Sequence, residues 1–186
     1  MEIQTQIVRA VGGEKEARDA LAAYCLPIVY RYLRKAWRVS TEEAEELTQE
    51  IFSDLWPVLS GFRGGSFKAW ILTIARRVTW KSYQSHPTKS RATNTDDSED
   101  LLQLTDEAPS PEALLSSKEQ VSLLRQVFET LKPDAREILY LRYLEELSLE
   151  EISQMLEVSY EVAKSRLKRA RKVLKELWQS HFVDCG

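Results

Sequence analysis

Apolar residues recur at helical spacing along most of the chain, and no segment alternates convincingly with the period of a β-strand. The spacing predicts helices over residues 17–37, 42–59 and 67–83. After a polar stretch it predicts two more, over residues 112–131 and 133–143. The expected fold class is therefore all-α.

Capping residues indicate where several of these helices begin. Ser40 and Glu43 have the spacing of a capping box, and Ser66 is the expected N-cap of the helix that follows it. Pro133 suits the first turn of a helix, where its missing N–H leaves no bond unmade. Pro27 lies inside a predicted helix, so we expect a kink or a new helix there.

Two further helices, separated by a tight turn, are predicted near the end of the chain. Ser148 and Glu151 form a second capping box, and Ser159 is the N-cap candidate of the longer helix that follows. A short helix, a three-residue turn and a longer basic helix form a helix-turn-helix, whose second helix enters the DNA major groove. The longer helix has one apolar stripe, made of Ala163, Leu167, Ala170, Leu174 and Leu177.

Another flank of this helix is basic. From Ser159 to Trp178 the chain holds seven Lys or Arg and two Glu. A basic flank also occurs as the solvated face of an ordinary helical hairpin, so this pattern alone favours DNA binding without excluding the alternative. Its members are Lys164, Lys168, Arg171, Lys172 and Lys175.

Charge is segregated along the chain, although the net charge is only −3. Residues 61–95 hold seven Lys or Arg and no acid, whereas residues 96–112 hold seven Asp or Glu and no base. Two separate basic regions suggest two phosphate-facing surfaces. Residues 86–111 are also rich in Ser, Thr, Asp, Asn and Pro, which predicts a flexible acidic linker. We therefore expect two small helical domains, at 1–86 and 113–186, joined by a linker at 87–112.

The remaining composition excludes several classes of protein. No run approaches about 20 apolar residues, and the N-terminus lacks a signal-peptide pattern, so we expect a cytoplasmic protein without a membrane span. Cys25 is expected in the core and Cys185 near an exposed end, while His86 and His181 are isolated. We therefore expect no metal site and no cofactor. Since no paired carboxylates, nucleophile constellation or phosphate loop is apparent, we do not expect an enzyme.

The predicted helix over residues 67–83 brings a basic side chain and two aromatic rings onto one side, where Arg76, Trp80 and Tyr83 cluster. Cations that hold phosphate and rings that stack on unpaired bases suit single-stranded nucleic acid. The rings could equally cover the core of their own domain, because aromatic side chains are usually found inside proteins or at interfaces. The sequence leaves both interpretations open.

Three passages resemble the extracytoplasmic function (ECF) group of bacterial RNA polymerase sigma factors, which carry sigma regions two and four only. Residues 45–56 are similar to the helix that binds the polymerase clamp, and residues 62–76 to the promoter-melting segment. Residues 131–143, with the helix-turn-helix after them, are similar to region four. The order and spacing of the three passages make the resemblance specific. The chain departs from common family residues at several positions, including Arg77, Lys81 and Glu157.

The resemblance implies a sigma factor that binds core RNA polymerase through the β′ clamp helices and the β flap, recognises the −35 and −10 promoter elements and promotes DNA melting. The implied polymerase-binding residues are Glu46, Leu47, Gln49, Glu50, Phe52, Ser53 and Trp56. The implied −10 and melting residues are Phe62, Arg63, Ser66, Phe67, Lys68, Trp70, Arg76, Arg77, Trp80, Lys81 and Tyr83. The implied −35 residues are Ser159, Tyr160, Lys164, Ser165, Arg166, Lys168, Arg169 and Lys172.

Two alternatives share parts of the pattern. A stand-alone helix-turn-helix regulator would use the same C-terminal half, but it normally dimerises on a palindrome and would not need the helix over residues 45–56. An adaptor or anti-sigma-like module would lack the basic recognition helix. Many ECF factors are held by an anti-sigma protein, and no residue of this chain decides whether such a partner exists.

Overall fold

The structure is a computed structural model that describes residues 2–85, here called the first half, and residues 124–183, called the second half. The predicted linker lies outside these ranges, as does Cys185. Within them the secondary structure is helical without strands, as the sequence predicts.

The first half contains four α-helices and two short irregular helices. Ser40 caps the third α-helix by accepting a hydrogen bond from Glu43 N–H at 3.1 Å. Ser66 caps the fourth by accepting from Ala69 N–H, also at 3.1 Å. Both residues are therefore N-caps as predicted, but Glu43 does not return the bond that would complete a capping box with Ser40. The elements are α1 (Ile3–Val11), α2 (Lys15–Tyr32), a π-helical turn (Leu33–Trp37), α3 (Thr41–Val58), a 3-10 turn (Leu59–Gly61) and α4 (Phe67–Ser85).

Helix α2 passes through Pro27 without ending, contrary to one of the two predicted outcomes. Pro27 is exposed, and so is Ala23, whose carbonyl loses its helical partner. Water can bind that carbonyl, which lowers the cost of the missing bond. The irregularity comes later, in the π-helical turn, after which Arg38 adopts a left-handed conformation with φ of 59°.

Helix α1 was not predicted from the sequence. It is short, and its N-cap Glu2 makes no side-chain capping bond, so no start signal marks it. Its buried face, formed by Ile7 and Ala10, packs on α2 and on the 3-10 turn. Tertiary packing therefore stabilises a segment whose local signals are weak.

The second half has four helices: α5 (described over 124–130), α6 (Pro133–Tyr143), α7 (Leu149–Met155) and α8 (Tyr160–Val183). Pro133 occupies the first turn of α6, as predicted. Ser148 and Glu151 form the predicted capping box of α7, since each side chain accepts a hydrogen bond from the other residue's N–H.

The buried residues of the two halves form one hydrophobic cluster. Leu21, Leu55 and Ile71 are fully buried in the first half, as are Ile138 and Leu141 in the second. Helix α6 packs on the π-helical turn and α7 packs on α4. The two helical bodies thus lie against each other.

Candidate nucleic-acid interface

The sequence assigns DNA recognition in the second half to α8. Ser159 caps this helix by accepting from Val162 N–H at 3.3 Å. The predicted apolar stripe faces inward, because Ala163, Leu167 and Ala170 are buried and pack α8 onto the rest of the second half. The opposite side of the N-terminal part of α8 therefore faces solvent.

The predicted −35 residues lie on this solvent side. Arg166 is half-buried, and Lys172 forms an ion pair with Glu176 at 3.7 Å, one turn further along α8. Arg169 donates its Nε–H to the Ser165 carbonyl at 3.4 Å. An exposed basic face at the start of a capped helix has the form of a DNA-recognition helix. The exposed members are Ser159, Tyr160, Lys164, Ser165, Lys168, Arg169 and Lys172.

The predicted single-strand face of α4 contains an aromatic cluster. Trp80 remains 51% exposed. Its ring lies edge-on to the Trp37 ring, with 6.2 Å between the centroids. Tyr83 stacks on Trp37 as well, with a centroid distance of 5.5 Å. Tyr83 is half-buried. The exposed Trp80 ring is available for stacking on a base, and Trp37, which the sequence did not single out, supports it from one side.

The loop before α4 contains two consecutive glycines in the left-handed region. Gly64 has φ of 100° and Gly65 has φ of 85°, conformations that other residues rarely adopt. Arg63 is exposed and donates to the Ser60 carbonyl at 2.8 Å. The loop therefore turns sharply and presents Arg63 to solvent.

Two members of the predicted −10 set lie inside the protein. Phe62 is 9% exposed and Phe67 is 5% exposed. Their ring centroids are 5.3 Å apart, and both pack against Trp70, at 5.5 and 5.6 Å respectively. In this arrangement Phe62 and Phe67 support the loop rather than face DNA, whereas Trp70 is half-buried.

Three predicted −10 cations contact carboxylates of the second half. Lys68 Nζ lies 3.4 Å from Glu145, and Arg76 Nε lies 3.2 Å from Glu137. The exposed Arg77 approaches Glu157 at 2.6 Å. The remaining polar members, Ser66 and Lys81, are half-buried and exposed respectively.

The Glu137 carboxylate is buried between the two halves. Tyr32 of α2 donates its hydroxyl to Glu137 Oε1 at 2.5 Å. Burial raises the pKa of Glu137, although the Tyr32 hydrogen bond and the Arg76 charge partly oppose the shift. Nearby, the Arg136 guanidinium is buried and donates to the Ala36 carbonyl at 2.9 Å, which also joins α6 to the first half.

Glu145 occupies a second buried position at the same boundary. It accepts from Arg31 Nη2 at 2.9 Å and from the Tyr140 hydroxyl at 2.7 Å. Burial raises the pKa of Tyr140 well above its ordinary value, and the Glu145 charge adds to the shift. The hydroxyl therefore stays protonated and donates to the carboxylate. Arg31 belongs to α2, so this bond also spans the two halves.

The acidic helix α3 carries the predicted polymerase-binding residues. Four of them are exposed, and the half-buried rings of Phe52 and Trp56 lie 6.0 Å apart. Leu47 is 3% exposed and belongs to the core, because the same helical stripe that holds Ile51 holds Leu47 too. The exposed members are Glu46, Gln49, Glu50 and Ser53.

An apolar groove that the sequence analysis did not identify lies between α5, α6 and α8. Its volume is about 550 Å³. Its floor is apolar and its rim is basic. The lining residues are Leu124, Leu139, Tyr143, Arg171, Lys172, Leu174, Lys175 and Trp178.

The described residues contain no cluster of three or more potential metal ligands. Across residues 2–85 and 124–183, no helix is long and apolar enough to cross a membrane. Cys25 is fully buried, and burial raises the pKa of its thiol to about 12, so the thiolate is disfavoured.

Comparison with known proteins gives matches to both halves. The family model described as Sigma-70 region 2 matches residues 21–86, and the model described as Sigma-70, region 4 matches residues 122–174.

The chain is 35% identical to the RNA polymerase sigma factor YlaC of Bacillus subtilis, over 73% of this chain and 77% of that protein. It is 30% identical to the ECF RNA polymerase sigma-E factor of Escherichia coli, over 92% and 91% respectively. Among solved structures, the fold resembles the sigma factor RpoE from Bartonella quintana, crystallised with the anti-sigma factor NepR. That match has a TM-score of 0.66 and 18% identity, and it covers 87% of this chain and 96% of the other.

Proposed function

The chain belongs to the ECF group of the sigma-70 family of RNA polymerase sigma factors, which confer promoter recognition on the core enzyme, and we propose that its two helical halves divide this task between them. The observation that carries the proposal is the exposed basic face of α8 in the second half, together with the basic and aromatic face of α4 in the first. The basic face of α8 suits duplex DNA, and the basic and aromatic face of α4 suits single-stranded DNA, so the two surfaces suit a duplex −35 element and a melted −10 element.

The second half reads the −35 element as duplex DNA. The exposed N-terminal part of α8 has the form of a recognition helix, whose first turns reach base edges in the major groove. Lys164 and Lys168 are exposed cations one turn apart on the same face of α8, and in this proposal they contact backbone phosphates. Phosphate contacts of this kind position the helix, and the neighbouring side chains then discriminate among bases.

The first half holds the −10 element as a single strand. Trp80 offers an exposed ring for stacking, and Arg63 and Lys81 are exposed cations on the same segment of chain. Extruding a base from the duplex costs a few kcal/mol, which stacking on protein rings offsets. Phe62 and Phe67 act indirectly in this proposal, by holding the loop from beneath.

Core polymerase binds mainly to the acidic face of α3. Glu46, Gln49, Glu50 and Ser53 form an exposed polar row, and the half-buried rings of Phe52 and Trp56 lie beside it. The β′ clamp helices are the expected partner of this face. The β flap is the expected partner of the apolar groove between α5, α6 and α8, since that groove offers a concave apolar surface.

The protein acts as a specificity subunit and makes or breaks no covalent bond itself. Its place of action is the cytoplasm, where the polymerase is. The solved relative from Bartonella quintana was crystallised with an anti-sigma factor, and we propose that a protein of that class can also bind this chain. The proposed domain limits are 1–86 and 113–186, with the linker between them.

Binding assays with and without core polymerase test this function. The chain alone is expected to be monomeric by light scattering and to bind duplex promoter DNA weakly. Together with core polymerase it is expected to form a stable, heparin-resistant promoter complex. A dimer that shifts palindromic duplex DNA without polymerase would instead support a stand-alone helix-turn-helix regulator. No observation favours that alternative, because region 2 similarity covers residues 21–86.

A further inference from the structure

Helix α8 carries an acid on the face that the proposed function turns towards the −35 element. Glu161 lies two residues before the buried Ala163, and at about 100° per residue this places it on the opposite side of the helix. It is exposed, and it shares its outward row with the exposed Ser165 and Lys168, at steps of four and three residues. A carboxylate therefore lies among the cations of the recognition face.

Capping of α8 does not account for this acid. In a capping box the acid occupies the third position of the helix, as Glu151 does in α7, and in α8 that position holds Val162. Ser159 already accepts the Val162 N–H. Among the described residues, no hydrogen bond or ion pair engages the Glu161 carboxylate. Its oxygens are therefore free to accept a hydrogen bond from outside the chain.

The chemistry of DNA restricts what such a carboxylate can bind. An ionised carboxylate only accepts hydrogen bonds, so the phosphate oxygens, which are acceptors with the same sign of charge, repel it. A base edge in the major groove can offer a donor. Cytosine presents its N4 amino group there, adenine presents a donor beside the N7 acceptor, and guanine and thymine present only acceptors as polar groups. Of the four bases, cytosine therefore matches the Glu161 carboxylate best.

We propose that Glu161 is a specificity-determining residue, which reads one cytosine of the −35 element by accepting a hydrogen bond from the N4 amino group of that base. The inference rests on the proposed function, since it takes α8 as the helix that enters the major groove. Glu161 lies in the first turn of α8, and the N-terminal residues of a recognition helix are those that contact base edges. At the same position the carboxylate disfavours guanine and thymine, so repulsion contributes to the choice of base as well as attraction.

The neighbouring lysines perform a different task. Lys164 and Lys168 are exposed, about one and two turns further along α8, and their phosphate contacts hold the helix on DNA of any sequence. Glu161 adds nothing to that general affinity, because its charge has the same sign as the phosphates. Its removal is therefore expected to weaken the discrimination between bases while leaving the binding of unrelated duplex DNA as tight as before, or tighter.

The test determines the −35 preference of core polymerase reconstituted with wild type, Glu161→Ala or Glu161→Gln. The −35 region of a promoter that the wild-type protein uses is randomised, and the bound and unbound templates are sequenced. At one position wild type is expected to favour cytosine over guanine and thymine by at least about fivefold. Glu161→Ala is expected to lose this preference and to keep the rest of the motif. Glu161→Gln is expected to accept adenine there, because a glutamine amide pairs with adenine N6 and N7.

Glu150→Ala is the matched control. Glu150 is also an exposed acid in the first turn of a helix, here α7, so its removal forfeits the same favourable interaction with a helix dipole. We expect it to leave the base preference unchanged at every position. Affinity for a duplex without the motif is measured in parallel, and for Glu161→Ala it is expected to equal or exceed that of wild type, which a misfolded helix would not achieve.

Three results would overturn the proposal: a Glu161→Ala motif identical to that of wild type, a motif weakened equally at all positions, or the same loss of cytosine preference in Glu150→Ala. The second result would assign Glu161 to helix stability alone. Each of the three can occur while wild type with core polymerase still initiates from specific promoters. Absence of promoter-specific initiation by wild type would instead refute the proposed function.

Discussion

Lys168 of α8 provides the sharpest test of −35 recognition. It is exposed on the recognition face, and replacing it with alanine keeps a strong helix former at that position. We therefore expect Lys168→Ala to fold normally and to lose one phosphate contact.

The size of the loss follows from counterion release. One contact contributes about 0.9 to the slope of log K against log salt concentration. Relative to about 1 M salt, that contact is worth about 0.9 log unit at about 0.1 M salt, or roughly an eightfold fall in affinity. The corresponding free energy is about 1.2 kcal/mol.

The assay measures promoter affinity of the reconstituted polymerase at several salt concentrations. Lys15→Ala is the matched control, because Lys15 is also an exposed lysine but begins α2 and belongs to none of the proposed binding surfaces. The slope is expected to fall by about 0.9 for Lys168→Ala and to stay near the wild-type value for Lys15→Ala. Equal effects of the two substitutions would show that only net charge matters, and an unchanged slope for Lys168→Ala would remove this residue from the phosphate contacts.

Three further predictions concern the other half, the cap of α7 and the contact between the halves. Trp80→Ala is expected to reduce open-complex formation, measured by the permanganate reactivity of the melted DNA. It is expected to lower the melting temperature of the protein by less than about 3 °C because the ring is 51% exposed, and a larger fall would indicate a core role. Ser148→Ala removes half of a capping box and should destabilise the protein by about 1 kcal/mol in urea unfolding, whereas an unchanged midpoint would show that the cap contributes nothing. The Arg77 hydrogen bond and charge lower the pKa of Glu157, so this ion pair stabilises the packed halves above the ordinary pKa of Glu157 and is lost as pH falls through the lowered pKa. NMR titration of the Arg77→Ala variant should show the Glu157 pKa rising towards its ordinary value, and no rise would mean that the pair is absent in solution.

The helix-turn-helix was the part of the structure most completely predictable from sequence. Its signals are local: a capping box at Ser148, an N-cap at Ser159, and an apolar stripe that continues through α8. Each signal depends on residues three or four positions apart, so the rest of the fold was not needed to interpret them.

Burial of individual site residues was harder to predict. The family resemblance placed Leu47 and Phe67 among the residues that bind polymerase and DNA, but both side chains are buried in the core. Phe62 precedes the helix, where no periodicity indicates its direction. Whether these side chains are buried is decided by several elements that pack around them at once, which the spacing within one helix does not show.

The contact between the halves had no signal in the sequence. In the sequence Tyr32 falls at helical spacing among the apolar residues of α2. Glu137, 105 residues away, looks like an exposed acid on α6. The burial of Glu137 depends on the other half, so periodicity within α6 could not reveal it. Arg77 and Glu157, two departures from common family residues, pair with each other across the same boundary.

The central claim is that this chain gives core RNA polymerase its promoter specificity. The most direct measurement is sequencing of transcript 5′ ends made in vitro from genomic DNA by core polymerase with and without the protein. The account predicts discrete start sites that appear only with the protein and share two upstream motifs at a fixed spacing, near −35 and −10. Transcripts that start at the same scattered positions in both reactions, although the protein is folded and bound to core, would contradict it.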